Sequence, residues 1–517
     1  MPYTPNGKLD LKNLPIPELY RSDKSEAAAN EIEKTFCDIF GRLLHVENVG
    51  ATESFFELGG TSLLVTNVVI EAGKAGYNIA FADVFDNPTP RALSTAVGGL
   101  SSEGAVSAAA SDSEITSYDY GSINELLKRN TLESFKSGSL RKLGNVLLTG
   151  ATGYLGIHIL HELIENGDEH DKIYCLFRSR KNTKVTEKLL SQYYYYFDTS
   201  LTDLIGERIH IVNGDVTDAS ALDGLLDKEI DTVINCAAVV KHFASGTQIE
   251  DVNVGGTLNL IDFCLKVKAV LIQTSTMSVV SSAYKDSIPE GFLPDESSLY
   301  FNQLLDNKYI HSKFLAERAV LEAVAERGLK GKIMRYGNLA ARYSDGEFQI
   351  NFSTNAAMGR LKAFVMVGCA AFDQLDTTME FSPIDAVARA TVELSKTPDE
   401  CILFHVFNNQ NISMELIFSE LNKLGYNIAY VEREEFAKAF AAAQNDPGKA
   451  AALTSIMAYM QTPGGRETVR LLRQCEYTMQ VLYRLKFAWP VTTWDYIERF
   501  VSAIGGLGFF EKKIIHP

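Results

Sequence analysis

The stretch Asn145-Val-Leu-Leu-Thr-Gly-Ala-Thr-Gly-Tyr-Leu-Gly156 constrains the fold of this chain more than any other. An apolar run, Val146 to Leu148, gives way to Gly150, Gly153 and Gly156, and apolar residues then recur at Ile157, Leu160, Leu163 and Ile164. A buried strand that breaks on glycines and re-enters as a helix aims free backbone amides at one point, where a pyrophosphate can sit. Glycine lets the backbone approach the phosphates and lets the helix pack closely on the strand. On the glycines alone an ordinary strand–helix corner reads the same way. The flanking strand and helix patterns favour the dinucleotide site.

The rest of the composition narrows the partners. A chain of 517 residues has room for roughly two to four domains. Its 46% hydrophobic and 22% charged content is that of a soluble globular protein. The net charge of −16 argues against a nucleic-acid surface and against an anionic membrane. Cys37, Cys175, Cys236, Cys264, Cys369, Cys401 and Cys475 form no C-x-x-C pair, which suits a reducing compartment and no structural zinc. His158 and His161 lie three apart on the helix after the glycine turn without an accompanying carboxylate, so they read as packed or surface residues and no metal is expected. With neither a basic-then-apolar leader nor a run of membrane-spanning length, the cytoplasm is the expected location.

Before the glycine turn the chain has its own organisation. Ile32, Phe36, Ile39, Phe40 and Leu43 fall on one helical face, and Ser62 opens a second apolar helix through Leu63, Leu64, Val68 and Val69. As a plain structural feature, Ser62 is a good helix N-cap. The surrounding Leu58-Gly-Gly-Thr-Ser62-Leu, however, resembles the attachment site of peptidyl carrier proteins, small four-helix domains. That resemblance implies that Ser62 carries a covalent 4′-phosphopantetheine arm added by a phosphopantetheinyl transferase, and places the carrier at 21–100. Pro2-Tyr-Thr-Pro-Asn-Gly-Lys8-Leu-Asp10 resembles the closing motif of adenylation domains in nonribosomal peptide synthetases, so residues 1–20 read as the tail of an upstream synthetase domain. Small polar residues from Ser101 onward suggest a flexible linker over 101–120.

From 145 to about 340, strand-like runs alternate with helical stretches: Asn145–Thr149, Lys172–Phe177, Arg208–Val212, Thr232–Asn235, Val270–Thr274 and Lys332–Met334. Such alternation predicts a doubly wound parallel sheet of Rossmann type with helices on both faces. The second strand runs into Arg178-Ser-Arg180, where an NAD site usually has a carboxylate for the ribose 2′-hydroxyl. Basic residues there suit the 2′-phosphate of NADPH, with Lys188 on the next helix as a reserve contact. The run Tyr193 to Tyr196 reads as helix packing.

Tyr309-Ile-His-Ser-Lys313 puts a phenol and an ammonium four residues apart on one helical face. A neighbouring ammonium is expected to pull the phenol below its usual ~10. A lone Y-x-x-x-K is common. Here it follows, in order, the glycine turn, Asn235-Cys-Ala-Ala238 and Thr274-Ser-Thr276, an arrangement that resembles the extended short-chain dehydrogenase/reductases. The resemblance implies that Thr276 (with Ser275 and Ser278 as competitors), Tyr309 and Lys313 are catalytic. It further implies that Thr149, Gly150, Thr152, Gly153, Tyr154, Leu155, Gly156, Asp215, Val216, Ala237, Ala238, Tyr336 and Asn338 contact the cofactor, with Tyr309 and Lys313 also touching it.

Arg335-Tyr-Gly-Asn338, Phe381-Ser-Pro-Ile-Asp385 and Phe404-His-Val-Phe407 resemble the terminal thioester reductase domains of nonribosomal peptide synthetases and carboxylic acid reductases. That family implies an NADPH-binding domain over 121–410 and a mostly helical substrate subdomain over 411–517. The implied activity is reductive release of a peptidyl or aminoacyl thioester from the chain's own carrier, to an aldehyde or alcohol. Redox-neutral cyclising release, a non-catalytic docking module and a nucleotide-sugar epimerase are the alternatives. Tyr309 disfavours the first and Ser62 the last.

Overall fold

The computed structural model describes residues 26–44, 46, 48–60, 64–65, 68–69, 71–72, 75, 77, 79, 83–84, 87–99, 114–178, 185–240, 248–280, 294–305, 307–350, 356–444, 446, 453 and 475–506. The chain divides into two compact units, Met1–Ile115 and Thr116–Pro517.

In the first unit, helix α1 (Glu31–Leu44) buries Phe36, Ile39 and Phe40, the face marked by their spacing. They share a core with Phe55, Val65, Val68, Ala72 and Leu93, the last on helix α2 (Pro90–Gly99). The turn that follows Leu58 depends on its two glycines. Gly59 adopts φ +94°, and a Cβ on Gly60 would lie 2.4 Å from the Phe55 carbonyl oxygen and ring. Ser62 itself lies outside the described residues, as do Arg180 and residues 1–20.

The second unit opens with Tyr118 and Tyr120. Arg318 sits over the Tyr118 ring at 4.6 Å, and Tyr120 stacks on Tyr300 at 5.0 Å. The end of the expected linker is therefore packed, because aromatic residues replace the small polar ones that precede them. After helix α3 (Gly121–Leu127) comes a sheet of seven parallel strands: β1 (Asn145–Thr149), β2 (Ile173–Phe177), β3 (Ile209–Asn213), β4 (Ile230–Asn235), β5 (Val270–Thr276), β6 (Lys330–Tyr336) and β7 (Leu403–Val406). Their spatial order is β7-β6-β5-β4-β1-β2-β3. Most strand residues are apolar because helices cover both faces: α4 (Tyr154–Asn166), α5 (Val185–Phe197), α6 (Gly256–Val267), α7 (Lys308–Arg327) and α8 (Ile384–Ser395). The order reverses between β1 and β4, so a crevice opens beyond their carboxyl ends. Two features differ from expectation. Strands β5 and β6 run on to Thr276 and Tyr336, which pair in register, and β7 adds an edge.

A second core gathers Phe348, Phe364 and Phe381 with Phe418, Tyr496 and Phe500, drawing on residues before and after position 410. Two short ladders explain the interleaving: Asn411–Ser413 pairs with Thr378–Glu380, and Ala429–Val431 with Cys369–Ala371. Helices α9 (Met414–Lys423) and α11 (Trp494–Gly506) complete this core, whereas α10 (Glu476–Arg484) returns to the sheet through Val481 and Leu482. In α5 only half of the tyrosine run packs, because Tyr194 and Tyr195 fall on the exposed face of the helix. Tyr193 and Tyr196 are buried, and His161 Nδ1 meets the Tyr193 hydroxyl at 2.8 Å. No helix among the described residues is long and apolar enough to cross a membrane.

Candidate active site

The glycine turn sits at the switch point of the sheet. Gly150 adopts φ +69°, and a Cβ there would lie 2.7 Å from the Cys236 carbonyl. A Cβ on Gly156 would lie 2.2 Å from the Gly150 oxygen, so only glycine lets α4 begin this close to β1. Gly153 precedes α4 in extended backbone and contributes no side-chain cap. The first amides of α4, at Tyr154, Leu155 and Gly156, therefore face the crevice with the positive end of the helix dipole behind them. This cradle fits a dinucleotide pyrophosphate.

Side chains at the strand ends fix the opposite wall. The Thr149 hydroxyl donates to Asn235 Oδ1 at 2.6 Å and accepts from the Ala237 amide at 3.1 Å. Asn235 Nδ2 in turn donates to Gln273 Oε1 at 3.0 Å. Thr149 is thus a buried brace, and the half-buried backbone of Ala237 and Ala238 is what faces the crevice. Beyond it, Asn253 accepts from the Val239 amide at 2.8 Å and donates to Ser312 Oγ at 3.0 Å; Ser312 Oγ donates to the Tyr309 carbonyl at 2.8 Å. Asn253 lies in a π-helical turn, Asp251–Gly255, and ties the β4 loop to the helix that carries Tyr309. Sequence reasoning passed over it.

Asn307 caps α7, accepting from the amides of Tyr309 at 3.0 Å and Ile310 at 3.2 Å. Lys313, one turn further, is buried, and its ammonium donates to the Thr274 carbonyl at 3.1 Å. Burial pulls this ammonium down to about 8, while the Glu317 carboxylate acts the other way. Tyr309 departs from expectation: burial pushes its phenol up to about 12. Desolvation outweighs the ammonium, whose bond goes to Thr274. Thr276 stands half-buried at the end of β5, where its Oγ1 accepts from the Ser278 amide at 3.1 Å. Of its competitors, Ser278 is half-buried, whereas the Ser275 hydroxyl is buried without a protein partner among the described residues.

At the other end of the crevice, the Arg178 guanidinium follows β2 and lies 3.7 Å from the Asp215 carboxylate. Lys188 is exposed on α5, and Thr152 is half-buried in the turn. Val216 is buried under α6, where a Cβ on Gly256 would lie 2.8 Å from Val216 Cγ2. The Tyr336 hydroxyl is turned into the core against Thr391 Oγ1 at 2.9 Å, which leaves only its backbone for a ligand. The Asn338 amide donates to Glu380 Oε2 at 2.7 Å. The Glu380 carboxylate occupies the space that a side chain at Gly337 would need. Like Asn253, Glu380 was not anticipated. The Tyr154 hydroxyl reaches across to the Ala340 carbonyl at 2.9 Å, joining the start of α4 to the segment that leads into the second core.

The chain is similar to known proteins on both sides of its unit boundary. Residues 148–391 match the family described as male sterility protein, and residues 34–97 match the phosphopantetheine attachment site family. A solved thiolation–reductase di-domain from an archaeal non-ribosomal peptide synthetase is 39% identical, with a TM-score of 0.82, covering 94% of this chain and 100% of that one. The linear gramicidin synthase of Brevibacillus parabrevis includes a polypeptide that is 25% identical over 503 residues, 92% of this chain and 10% of that protein. The L-2-aminoadipate reductase large subunit of Penicillium chrysogenum is 26% identical over 480 residues, 84% of this chain and 33% of that protein. The chain thus spans between a tenth and a third of the length of these two curated relatives. With a carrier match, a reductase match and a full-length structural relative in the same order, the chain belongs to the thiolation–reductase didomains of non-ribosomal peptide synthetases.

Proposed function

We propose that this chain releases a peptidyl or aminoacyl group from the phosphopantetheine arm of its own carrier by reduction with NADPH, giving an aldehyde. The observation that carries the reading is the convergence of the glycine turn, the Thr276 strand end and the Tyr309–Lys313 helix on one crevice. Bound NADPH would supply a hydride to the thioester carbonyl carbon. Thr276 and Tyr309 then hold the carbonyl oxygen as negative charge develops on it, an effect that positioned donors supply most strongly in a dry site. A phenol near 12 keeps its proton at neutral pH, so Tyr309 is a donor throughout. Lys313, anchored on Thr274, presents a positive charge to the ribose and the oxyanion. As the oxyanion collapses and the carbon–sulfur bond breaks, the electron pair goes to sulfur, which leaves as the thiolate of the arm and takes a proton from solvent, and the acyl carbon leaves as the aldehyde.

The test is to load the carrier with an aminoacyl-pantetheine arm, add NADPH and identify the product by mass. One aldehyde is expected per NADPH oxidised. A cyclised product without NADPH consumption, or no release, would overturn the reading.

Choice of NADPH over NADH rests on Arg178. Arg178→Ala is expected to lower the NADPH/NADH preference about 10- to 100-fold, the worth of one hydrogen bond to a charged group. Asp215, freed of its ion-pair partner, would then oppose the phosphate. Cofactor dissociation constants measured for both nucleotides check this. An unchanged preference would move the role to Lys188 or Arg180.

A further inference from the structure

The face of α7 that carries Tyr309 and Lys313 continues, at the same four-residue step, to Glu317. Glu317 and its partner Arg335 on β6 are both fully buried. The pairing is two-pronged: Arg335 Nε lies 3.0 and 3.1 Å from the two carboxylate oxygens, and Nη2 donates to Oε2 at 2.6 Å. The remaining arm, Nη1, donates to the Ser298 carbonyl at 2.9 Å and meets His405 Nε2 at 3.2 Å. Arg335 stands in register with Ser275, one step before the Thr276–Tyr336 pair.

Packed apolar residues hold a helix on a sheet as firmly as a buried ion pair does, because desolvation consumes most of the Coulomb gain. An ion pair at this position therefore calls for a reason beyond adhesion, and the neighbouring buried ammonium provides one. We propose that Glu317, clamped by Arg335, is a positioning residue for Lys313: it sets the register of α7 on β6 and supplies the negative charge that keeps the Lys313 ammonium protonated. The proposal rests on the reading of Lys313 as part of the hydride-transfer site. Among the described residues, the groups that bear on Lys313 are the Thr274 carbonyl from β5, the Cys236 thiol from the β4 loop, Glu317 from its own helix and Arg335 behind Glu317. Cys236 is held neutral by burial, which pushes its thiol up to about 12. Glu317 is thus the carboxylate that supports the charge, and its loss lowers the pH at which Lys313 deprotonates.

The experiment uses the full chain and records, across neutral to alkaline pH, both NADPH affinity and single-turnover reduction of a loaded aminoacyl arm. Glu317→Gln leaves Arg335 buried without its counter-ion and is prone to misfold. The double variant Glu317→Met with Arg335→Met removes both charges at similar volume and carries the test, and Glu317→Asp is the conservative control. In the folded double variant the alkaline limb of both profiles is expected to move down by roughly half a pH unit, less than the ~1 unit that a lone opposite charge is worth, because losing Arg335 offsets part of the loss of Glu317. Glu317→Asp should keep the limb near its wild-type position. A limb that stays put in the folded double variant overturns the proposal. A wild-type limb that survives Lys313→Met overturns the assignment of Lys313 itself and the pair's role with it. Wild type that binds no NADPH fails the functional reading instead.

Discussion

Ser62→Ala is expected to abolish attachment of the phosphopantetheine arm. Incubated with coenzyme A and a phosphopantetheinyl transferase, the wild-type chain should gain one arm by intact mass and the variant none. Alanine removes the only atom that can accept the phosphate at that position and changes little else. The turn before it is set by Gly59 at φ +94° and by Gly60, whose amide donates to the Phe55 carbonyl at 2.8 Å. Those contacts do not involve the serine side chain, and losing a serine N-cap costs only about 0.5–2 kcal/mol, so the first unit should still fold. Release of a carrier-bound acyl group should fall to background, while NADPH binding and reduction of a free pantetheine thioester should persist. Attachment surviving in the variant would place the arm elsewhere and remove the basis for reading Leu58-Gly-Gly-Thr-Ser62 as its site.

What was legible in the sequence were features forced by short-range backbone chemistry. Gly150 and Gly156 are glycines because a Cβ would collide with Cys236 and with Gly150, and such residues announce themselves in any reading. The first six strands were visible as apolar runs because a doubly covered parallel sheet buries both faces of each strand. Strand β7 was not, since it is a four-residue edge with a histidine in it, and its placement depends on pairing with β6, some seventy residues earlier in the chain. The polar residues that organise the site were hidden for the same reason. Asn253 reaches Ser312 across 59 positions, and Arg335 reaches His405 across 70. No local pattern marks such a partner in advance.

The titration of Tyr309 shows a second limit. The four-residue step from Tyr309 to Lys313 suggested a depressed phenol, because spacing reveals a neighbouring charge but not the depth at which both groups sit. In the fold, burial raises the phenol and lowers the ammonium, the signature of desolvation acting on opposite charge types. The chemistry is better described with a neutral phenol that donates than with a phenolate that accepts.

That description makes a sharp demand on Tyr309→Phe. The substitution deletes one hydroxyl and keeps the ring, so the capped start of α7 and the Lys313–Thr274 bond should survive, since neither uses the phenol oxygen. NADPH affinity should therefore change little. Turnover of a loaded thioester at saturating NADPH is expected to fall about 10²- to 10³-fold, roughly 3–4 kcal/mol of barrier, the usual loss when one oxyanion donor is removed. Thr276→Ala should likewise reduce turnover more than affinity, whereas Lys313→Ala should harm both, because the ammonium serves the ribose and the oxyanion together. The comparison that decides is single-turnover reduction by Tyr309→Phe against wild type on the same acyl arm. Activity within about threefold of wild type, far short of the loss of a positioned donor, would mean that the oxygen is held by another group. Thr276 alone at the end of β5 would then be the first candidate, and the donor role assigned to α7 would pass to the strand.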